Sequence, residues 1–246
     1  MRNTKAIILF TQNVRLSRGN PKVPYTAISW EDIDLLFSAM LSDLLEILTQ
    51  LLQVDVFLVT SKTELQDDFL FAFHNRVNVL YTAEKNYNRR VAFSIATVFN
   101  EGYNKVVAYF DNYPLFKDDF IKRVFSQLNY EDDCIVCSAT NSGNCNLVAM
   151  KNNHSSWFDD VTEEQFINMD YLIKKACEDK LVIFTTQNLP TIVNGYDLQT
   201  LKNDIQTQMT NEVHYPKKTL LMFKYLDKKL RNWKPKDEAW DLRRYI

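Results

Sequence analysis

Residues 134–150, "CIVCSATNSGNCNLVAM", decide the fold, because they interrupt a regular alternation of strands and helices. Two apolar segments, 134–139 and 145–150, have the pattern of buried strands, and the turn-forming cluster "TNSGN" at 140–144 separates them. Five residues leave no room for a crossover helix. We therefore expect these two strands to be antiparallel.

Strand and helix patterns alternate on both sides of this hairpin. Apolar runs predict five further strands, at 5–11, 54–60, 77–81, 105–110 and 181–186. Apolar residues at helical spacing predict helices at 30–52, 64–74, 89–100, 117–128, 162–178 and 198–210. Ser29 and Asn88 are expected to cap the first and third of these helices. The pattern predicts an α/β domain with a mainly parallel sheet, helices on both faces and one late antiparallel strand.

Length and composition are typical of a soluble globular protein with one large domain. The chain has 246 residues, of which 46% are hydrophobic and 24% are charged. No apolar run approaches the ~18 residues of a membrane span, and the first apolar stretch is too short for a secretory signal. We therefore expect a cytoplasmic protein with reduced thiols.

The CxxC motif formed by Cys134 and Cys137 is not interpreted as a metal or redox site. Both residues lie in one predicted strand, where side chains three positions apart point to opposite faces. No second pair of cysteines or histidines follows at the spacing of a metal ligand set. The motif favours two core cysteines.

Residues 212–246 differ in charge from the rest of the chain. They contain ten Lys or Arg and five acidic residues, a net charge of +5. The preceding residues contain 19 Lys or Arg and 26 acids, a net charge of −7. We expect 1–211 to form the main domain and 212–246 a basic helical extension, packed on that domain or on a partner chain in a homodimer.

The segment 215–231 predicts an amphipathic helix within this extension. Its apolar residues are expected to dock; they are Leu220, Leu221, Phe223 and Leu230. Binding to a membrane surface or to nucleic acid is less favoured, because the basic residues lie among acids and no aromatic and basic platform accompanies them.

Three loops follow the carboxyl ends of predicted parallel strands, where sheets of this class bind ligands. They are residues 11–28, 82–88 and 111–116. The third follows the apolar strand in "VVAYFDNYPLF", residues 106–116, which ends by presenting an acid and an amide.

Four stretches carry a family resemblance. They are "ILFTQNVRLSRGNPKV" at 8–23, "EKNYNRRVAFSIATVFNEGYNKVV" at 84–107, "AYFDNYP" at 108–114 and "SATNSGNCNLVAM" at 138–150. With the order of elements, they resemble a family of small bacterial GT-A-like proteins described as nucleotide-diphospho-sugar transferases. The resemblance runs from about residue 5 to about residue 205 and implies a GT-A-like three-layer sandwich that binds a nucleoside-diphosphate sugar.

The first stretch resembles the family's nucleotide-wrapping loop, F-A-K-x-P-x-x-G-x-x-K-T-R-L. The resemblance assigns Asn13, Arg15, Arg18 and Lys22 to substrate binding. Arg can neutralise a diphosphate through bidentate hydrogen bonds, and Lys can neutralise it as a point charge. A solvated basic loop is the alternative.

The second stretch resembles the family's G-D-L-G-E-R-M segment. Arg90 matches the family's Arg, while Asn86 replaces an acid, and both are assigned to substrate binding. Amides at such a loop can still bond a base or ribose, without the charge of an acid. The alternative is that the stretch only begins a helix.

The third and fourth stretches resemble the family's strand ending in G-[ST]-D-C-P and its P-A-x-D-G-G-Y turn. Pro114 sets the alignment, so that Asn112 falls on the family's metal-binding Asp and Asp111 lies one position earlier. Asn141 falls on the Asp of the turn, and both amides are assigned to substrate binding. Asp111 is the catalytic candidate, as a metal ligand or a base.

A fifth segment, "LPTIVNGYDLQTL" at 189–201, resembles the family's L-P-D-[IV]-D-T-P-E-D-L. Thr191 and either Val193 or Asn194 replace its acids, whereas Asp197 keeps the acid that opens a helix. Since acids are replaced at several places, the resemblance implies a weakened or absent metal site. Mg²⁺ or Mn²⁺ prefers carboxylate oxygens, so neither is expected to bind strongly.

Three functions remain open. The first is a glycosyltransferase-like protein that uses a nucleoside-diphosphate sugar. The second is a non-catalytic relative that binds a nucleotide or a partner protein. A nucleotidyltransferase ranks lowest, because such enzymes open with a glycine-rich loop and this loop has only Gly19.

Overall fold

Seven strands form one sheet, in the order β3-β2-β1-β4-β6-β5-β7. The strands are β1 Lys5–Phe10, β2 Val54–Thr60, β3 Asn78–Tyr81, β4 Lys105–Tyr109, β5 Cys134–Ala139, β6 Cys145–Met150 and β7 Val182–Thr185. The computed structural model describes residues 4–10, 25, 28–61, 72–73, 75–111, 113–115, 118–140, 143–159, 161, 167–208 and 215–232. Every predicted strand is present, with ends that differ by at most one residue.

The late antiparallel strand is confirmed. β6 is antiparallel to both of its neighbours, β4 and β5, and the other pairs in the sheet are parallel. The turn between β5 and β6 places Gly143 at a φ of +82°, in the left-handed region that favours glycine. The main-chain N–H of Thr140 donates to the carbonyl of Asn144 at 2.7 Å and closes this hairpin.

The described helices lie close to their predicted positions. They are α1 Trp30–Leu48, α2 Tyr87–Asn100, α3 Asp118–Gln127, a 3₁₀ helix Ser155–Phe158, α4 Met169–Glu178, α5 Gly195–Gln208 and α6 Lys217–Asn232. Most of the predicted helix 64–74 lies outside the described chain. Residues 72 and 73 are described and are helical, and a turn at residues 75–76 comes after them. No helix in the described chain is long and apolar enough to cross a membrane.

Several helix starts differ from prediction: α5 begins at Gly195 rather than near 198, and the capping residues account for two others. Ser29 caps α1 as expected, since its side chain accepts from the N–H of Asp32. The cap of α2 is Asn86 rather than Asn88, because the Asn86 carboxamide accepts from the N–H of Arg89 at 2.9 Å. The predicted helix 162–178 begins at Met169, where Asn168 caps it; residues 162–166 lie outside the described chain.

The two faces of the sheet build two separate cores. In β1, Ala6, Ile8 and Phe10 pack with α2, the 3₁₀ helix and α4. Ile7 and Leu9 pack on the other face with α3 and the second half of α1. This alternation is the period-two pattern of a strand buried on both sides and makes the predicted three-layer sandwich.

The two cysteines of the CxxC motif lie on opposite faces, as predicted. Cys134 belongs to the core under α1 and α3, and Cys137 to the core under α2 and α4. Both are buried free thiols.

A third core lies between helices, away from the sheet. The first half of α1 packs there with α5 and α6. Leu220, Phe223 and Leu226 of α6 are buried and Leu230 is partly buried, whereas Leu221 is 63% exposed, so its predicted docking is wrong. Buried residues three or four apart form one stripe of a helix, and Leu221 lies about 100° from Leu220. The division of the chain at residue 211 and a homodimer remain predictions.

Candidate functional site at the carboxyl edge of the sheet

The order of strands reverses between β1 and β4. The chain places β2 and β3 on one side of β1 and then crosses to place β4 on the other. Two adjacent strands whose connections leave in opposite directions create a crevice at their carboxyl ends. Phe10 ends β1 at this crevice, and Asp111 follows the end of β4.

Asp111 is a partly buried carboxylate beside two buried tyrosines. Burial raises the pKa of Tyr109 well above its ordinary value, and the charge of Asp111 raises it further. Burial raises the pKa of Tyr113 as well, with contributions from the charges of Asp204, Asp111 and Asp197. Both phenols are therefore neutral at physiological pH.

Tyr113 connects the loop after β4 to helix α5. Its hydroxyl donates to Oδ2 of Asp204 at 3.1 Å, across 91 residues of sequence. The buried ring and this bond fix the position of the loop that carries Asp111. Sequence reasoning did not identify Tyr113; its only signal was an aromatic residue between a polar strand end and Pro114.

Aromatic rings form the floor of the crevice. Phe10 lies 5.6 Å from Phe110 and 6.0 Å from Tyr87, between ring centroids, and Phe110 lies 6.4 Å from Phe158. The rings come from β1, the end of β4, α2 and the 3₁₀ helix. Tilted and edge-to-face pairs of this kind stabilise the aromatic cluster.

Asn86 and Arg90 both stabilise the loop after β3. The Asn86 carboxamide oxygen caps α2. Arg90 directs Nε and Nη2 at the main-chain carbonyl of Glu84, at 3.4 and 3.3 Å. The hydroxyl of Thr82 accepts from the N–H of Glu84 at 3.0 Å. This part of the loop is thus ordered by its own side chains.

The hairpin strand β6 is tied to the segment before α5. The buried Asn146 donates through its side-chain Nδ2 to the carbonyl of Leu189 at 3.1 Å. The main-chain carbonyl of Asn146 accepts from the N–H of Phe110 at 2.8 Å. Ser138 donates through its hydroxyl to the carbonyl of Gln187 at 2.9 Å. The sequence signal for these hydrogen bonds was a polar residue within an apolar strand, Ser138 in β5 and Asn146 in β6.

Asp197 opens α5, as the sequence predicted. Its Oδ2 accepts from the N–H groups of Val193 and Asn194, at 2.9 Å each. In return, the Asn194 side chain accepts from the N–H of Tyr196 at 2.7 Å and of Asp197 at 3.3 Å. This reciprocal cap occupies the carboxylate with main-chain donors.

The residues described at this edge do not form a divalent metal centre. Within the described ranges, no three His, Cys, Asp or Glu side chains converge at metal-binding geometry. Asp197 serves as a helix cap and Asp204 accepts from Tyr113, so neither joins Asp111 in a ligand set. A single carboxylate is a poor donor set for Mg²⁺ or Mn²⁺.

Three of the predicted site residues lie in the described chain, namely Asp111, Asn86 and Arg90. The other six lie outside it; they are Asn13, Arg15, Arg18, Lys22, Asn112 and Asn141. Asp111 lies at the end of β4, while Asn86 and Arg90 lie at the start of α2, the helix that leads into β4. Their convergence on one ligand remains a prediction.

Comparison with known proteins relates this chain to others by fold. No family model matches it, and no curated protein sequence matches it significantly. A protein from Desulfovibrio desulfuricans G20, described provisionally as a nucleotide-diphospho-sugar transferase, is similar with a TM-score of 0.74 and 14% identity, over 93% of this chain and 97% of that chain.

Two further structures share the fold at lower similarity. A cytidylyltransferase from Leptospira borgpetersenii serovar Hardjo-bovis has a TM-score of 0.56 and 12% identity, over 95% of this chain and 99% of that chain. The mannosyltransferase PcManGT from Pyrobaculum calidifontis, in complex with GDP-Man and Mn²⁺, has a TM-score of 0.53 and 12% identity, over 92% of this chain and 70% of that chain. The predicted resemblance is therefore confirmed as a shared nucleotide-sugar transferase fold.

Proposed function

We propose that this protein binds a nucleoside-diphosphate sugar at the carboxyl edge of β1 and β4 and transfers the sugar to an acceptor, with little dependence on divalent metal. The observation that carries the proposal is the position of Asp111 at the strand-order reversal, where folds of this class bind ligands. The bound GDP-Man of the mannosyltransferase supports the class of ligand.

In this proposal Asp111 is the general base. The acceptor hydroxyl oxygen bonds to the anomeric carbon of the sugar, and its proton passes to the Asp111 carboxylate. The bond from that carbon to the diphosphate oxygen breaks, and the nucleoside diphosphate leaves with the electron pair. A carboxylate can serve if it lies within hydrogen-bond reach of the hydroxyl.

In this proposal, cationic side chains neutralise the negative charge of the diphosphate. Arg90 supplies a guanidinium from the described chain, and Arg15, Arg18 and Lys22 are proposed to join it. Well-formed contacts to charged groups contribute about 1.5–3 kcal/mol each. Neutral amides are proposed to bond the base and ribose, namely Asn13, Asn86, Asn112 and Asn141. The Nδ2 of Asn86 has no partner in the described chain, so it is available to donate.

Mg²⁺ or Mn²⁺ is not required in this proposal. Since no three His, Cys, Asp or Glu side chains converge within the described ranges, an ion would keep mostly water ligands and bind weakly. The proposed location is the cytoplasm, which agrees with four cysteines that are all free thiols.

Binding without catalysis is the second candidate. One observation favours it: Asn86 and Arg90 make bonds within their own loop, which would order the loop without a substrate. Such a protein would hold the nucleotide, or a second copy of this chain through residues 212–246, as a non-catalytic partner.

The test is calorimetric titration of UDP-, GDP-, CDP- and dTDP-sugars into the wild type, Arg90→Ala and Asp111→Asn, with Mn²⁺ or with EDTA. Arg90→Ala should weaken binding by about tenfold or more, because a charge-assisted contact is lost. Asp111→Asn should retain binding and lose transfer. Arg89→Ala, an exposed neighbour on the same helix turn, is the matched control and should bind like the wild type.

Each alternative has its own outcome. Binding that collapses with EDTA and in Asp111→Asn would establish a metal site and contradict the proposal. Binding to every variant without turnover of any acceptor would favour the non-catalytic candidate. Release of pyrophosphate from a nucleoside triphosphate would instead identify a nucleotidyltransferase.

A further inference from the structure

Three lysines lie side by side at the amino edge of the sheet, opposite the proposed nucleotide site. Lys5 of β1 pairs in register with Lys105 of β4. Lys151 directly follows Met150, which pairs with Val106, so it lies beside Lys105 on the next strand. Neighbouring strands are about 4.8 Å apart, which brings three positive charges into one row.

The three side chains start from the same face of the sheet. Ile7, Val107 and Ala149, which lie two residues from Lys5, Lys105 and Lys151 along their strands, all belong to the core under α1 and α3. Because side chains two positions apart share a face, the lysines lie on this face as well. Like charges directly opposite each other on neighbouring strands are destabilising.

The contacts of the lysines are neutral. The ammonium of Lys105 donates to Oδ1 of Asn129, and that of Lys151 donates to the carbonyls of Tyr130 and Glu131. The ammonium of Lys5 lies 5.6 Å from the ring centre of Phe125. No ion pair to an acidic side chain forms at any of the three lysines within the described ranges.

The electrostatics of Lys105 agree with an excess of positive charge. Its pKa is lowered, first by burial and then by the charges of Lys5 and Lys151. An anion placed beside the row would relieve this repulsion.

A cleft of about 410 Å³ adjoins the row. Lys5, Lys122 and Asn129, the last of which is the partner of Lys105, line the cleft on its polar side. Leu51, Ile121 and Phe125 are among the apolar residues that line the rest. Leu52 at its mouth is 90% exposed. This volume is within the range of small-molecule sites.

We propose that this amino-edge cleft binds an organic anion with an apolar body, of the class of aryl or short alkyl phosphates. Lys5, the lysine of the row that lines the cleft, would take the anionic head, and the apolar part of the lining would take the body. β1 separates the cleft from the nucleotide edge by roughly 17 Å at 3.3 Å per residue, so this is a second site, independent of the proposed function.

The test uses 8-anilinonaphthalene-1-sulfonate, a fluorescent apolar anion, titrated into the full chain. Saturable binding is expected, with displacement by octyl phosphate, weaker displacement by inorganic phosphate, and none by the nucleotide sugars. Lys5→Gln should weaken probe binding by about tenfold, through loss of a charge-assisted contact. Lys174→Gln removes an exposed lysine of α4 and should bind the probe like the wild type.

A second variant keeps the test independent of folding. Leu52→Asp changes a side chain that is 90% exposed, so the fold should persist while the mouth of the cleft becomes anionic and repels the probe. Near-ultraviolet circular dichroism verifies that each variant is folded. The proposal is overturned if the wild type fails to bind the probe, if both variants bind like the wild type, or if a nucleotide sugar displaces the probe.

Discussion

At the carboxyl edge of the sheet, β4 leads to Asp111 and Tyr113; at the amino edge, β1 and β4 begin with Lys5 and Lys105. The polar groups near the carboxyl end are paired with helices of the third core. Tyr113 donates to Asp204 of α5. At the amino end, Lys105 and Lys151 donate to neutral acceptors, and Lys5 lines a cleft.

This difference distinguishes charges that stabilise the fold from charges that do not. Near the carboxyl end, α6 contributes further pairs: Lys202 to Asp227 at 2.7 Å, and Lys229 to Asp32 at 2.6 Å. At the amino end, a row of like charges opposes folding. Proteins retain unfavourable local interactions, such as this repulsion between lysines, chiefly at functional sites. The repulsion therefore supports the proposal of a second site at the amino edge.

The largest effect is expected from breaking the junction of α1 and α6, two helices that pack together in the third core. Asp43 is buried and accepts from the N–H of Lys218 at 3.2 Å, and from the N–H and hydroxyl of Thr219 at 2.7 Å each. Asp43→Ala leaves these donors without a partner and should cost about 2–4 kcal/mol in the free energy of unfolding. Urea denaturation measures this.

The control for this prediction is Asp34→Ala, an exposed acid on the same helix, which should change stability little. Burial raises the pKa of Asp43, although the donors from Thr219 and Lys218 lower it. Asp43→Asn removes the buried charge and keeps one acceptor, so it should cost less than Asp43→Ala. Equal stability of the wild type and Asp43→Ala would show that these hydrogen bonds do not stabilise the junction of α1 and α6.

A smaller effect is expected from detaching the Asp111 loop. Tyr113→Phe removes the hydroxyl that donates to Asp204 and should cost about 1–2 kcal/mol. It should also weaken nucleotide binding, because the loop loses its anchor on α5. Tyr196→Phe, in a tyrosine of α5 that is 54% exposed, is the control. An unchanged melting temperature and affinity in Tyr113→Phe would show that the hydrogen bond from Tyr113 to Asp204 does not stabilise the carboxyl end.

The opposite sign is expected at the amino end. Lys105→Gln keeps an amide donor for Asn129 but removes the middle charge of the row, so it should stabilise the protein by about 0.5 kcal/mol. The gain should shrink at high salt, which screens the repulsion. A loss of stability in Lys105→Gln would mean that the row contributes to folding, and the contrast between the two ends would fail.

The smallest effect is a pH dependence at the end of α6. Burial would raise the pKa of Asp32, but hydrogen bonds from Lys229 and Ser29 and the charge of Lys229 outweigh it and lower the pKa. A carboxylate with a lowered pKa contributes stability that is present above its unfolded pKa of about 3.9 and is lost as pH falls through its folded value.

Comparison of the wild type with Asp32→Asn tests this sign. The wild type should be more stable at pH 7, and the difference should decline below about pH 4 and disappear once the pH is below the lowered folded pKa of Asp32. Thermal unfolding over that range measures it. The effect is expected to be small, since the Lys229 side chain is 48% exposed. A difference that persists in acid would point to packing rather than to the charge of Asp32.

Local patterns predicted most of the sheet. The strands and the hairpin at 140–144 follow from apolar runs and turn length, which involve neighbouring residues only. Residue type alone does not determine where a helix starts. Asn86 and Asn88 are equally good caps by residue type, and only the backbone geometry chooses between them. Leu221 was expected to dock because a helix of basic and apolar residues does not reveal which stripe faces its neighbour.

The candidate site was predicted only in outline. The position of Asp111 after β4 follows from the strand pattern, yet its neighbours Tyr113 and Asp204 are 91 residues apart, and no local pattern connects them. The roles of Asp111, Asn86 and Arg90 in binding stay predictions.

The sequence alone therefore determined the α/β class, the strands and the late antiparallel hairpin, because hydrophobic period and turn chemistry are properties of short segments. Tertiary structure alone decided the strand order, and with it the neighbours of every charged residue at the two ends of the sheet. Lys5, Lys105 and Lys151 are distant in sequence and adjacent in space because β4 lies between β1 and β6. Pairing between strands is non-local, so a charge that looks solvated in the sequence becomes one of three in a row once the sheet has formed.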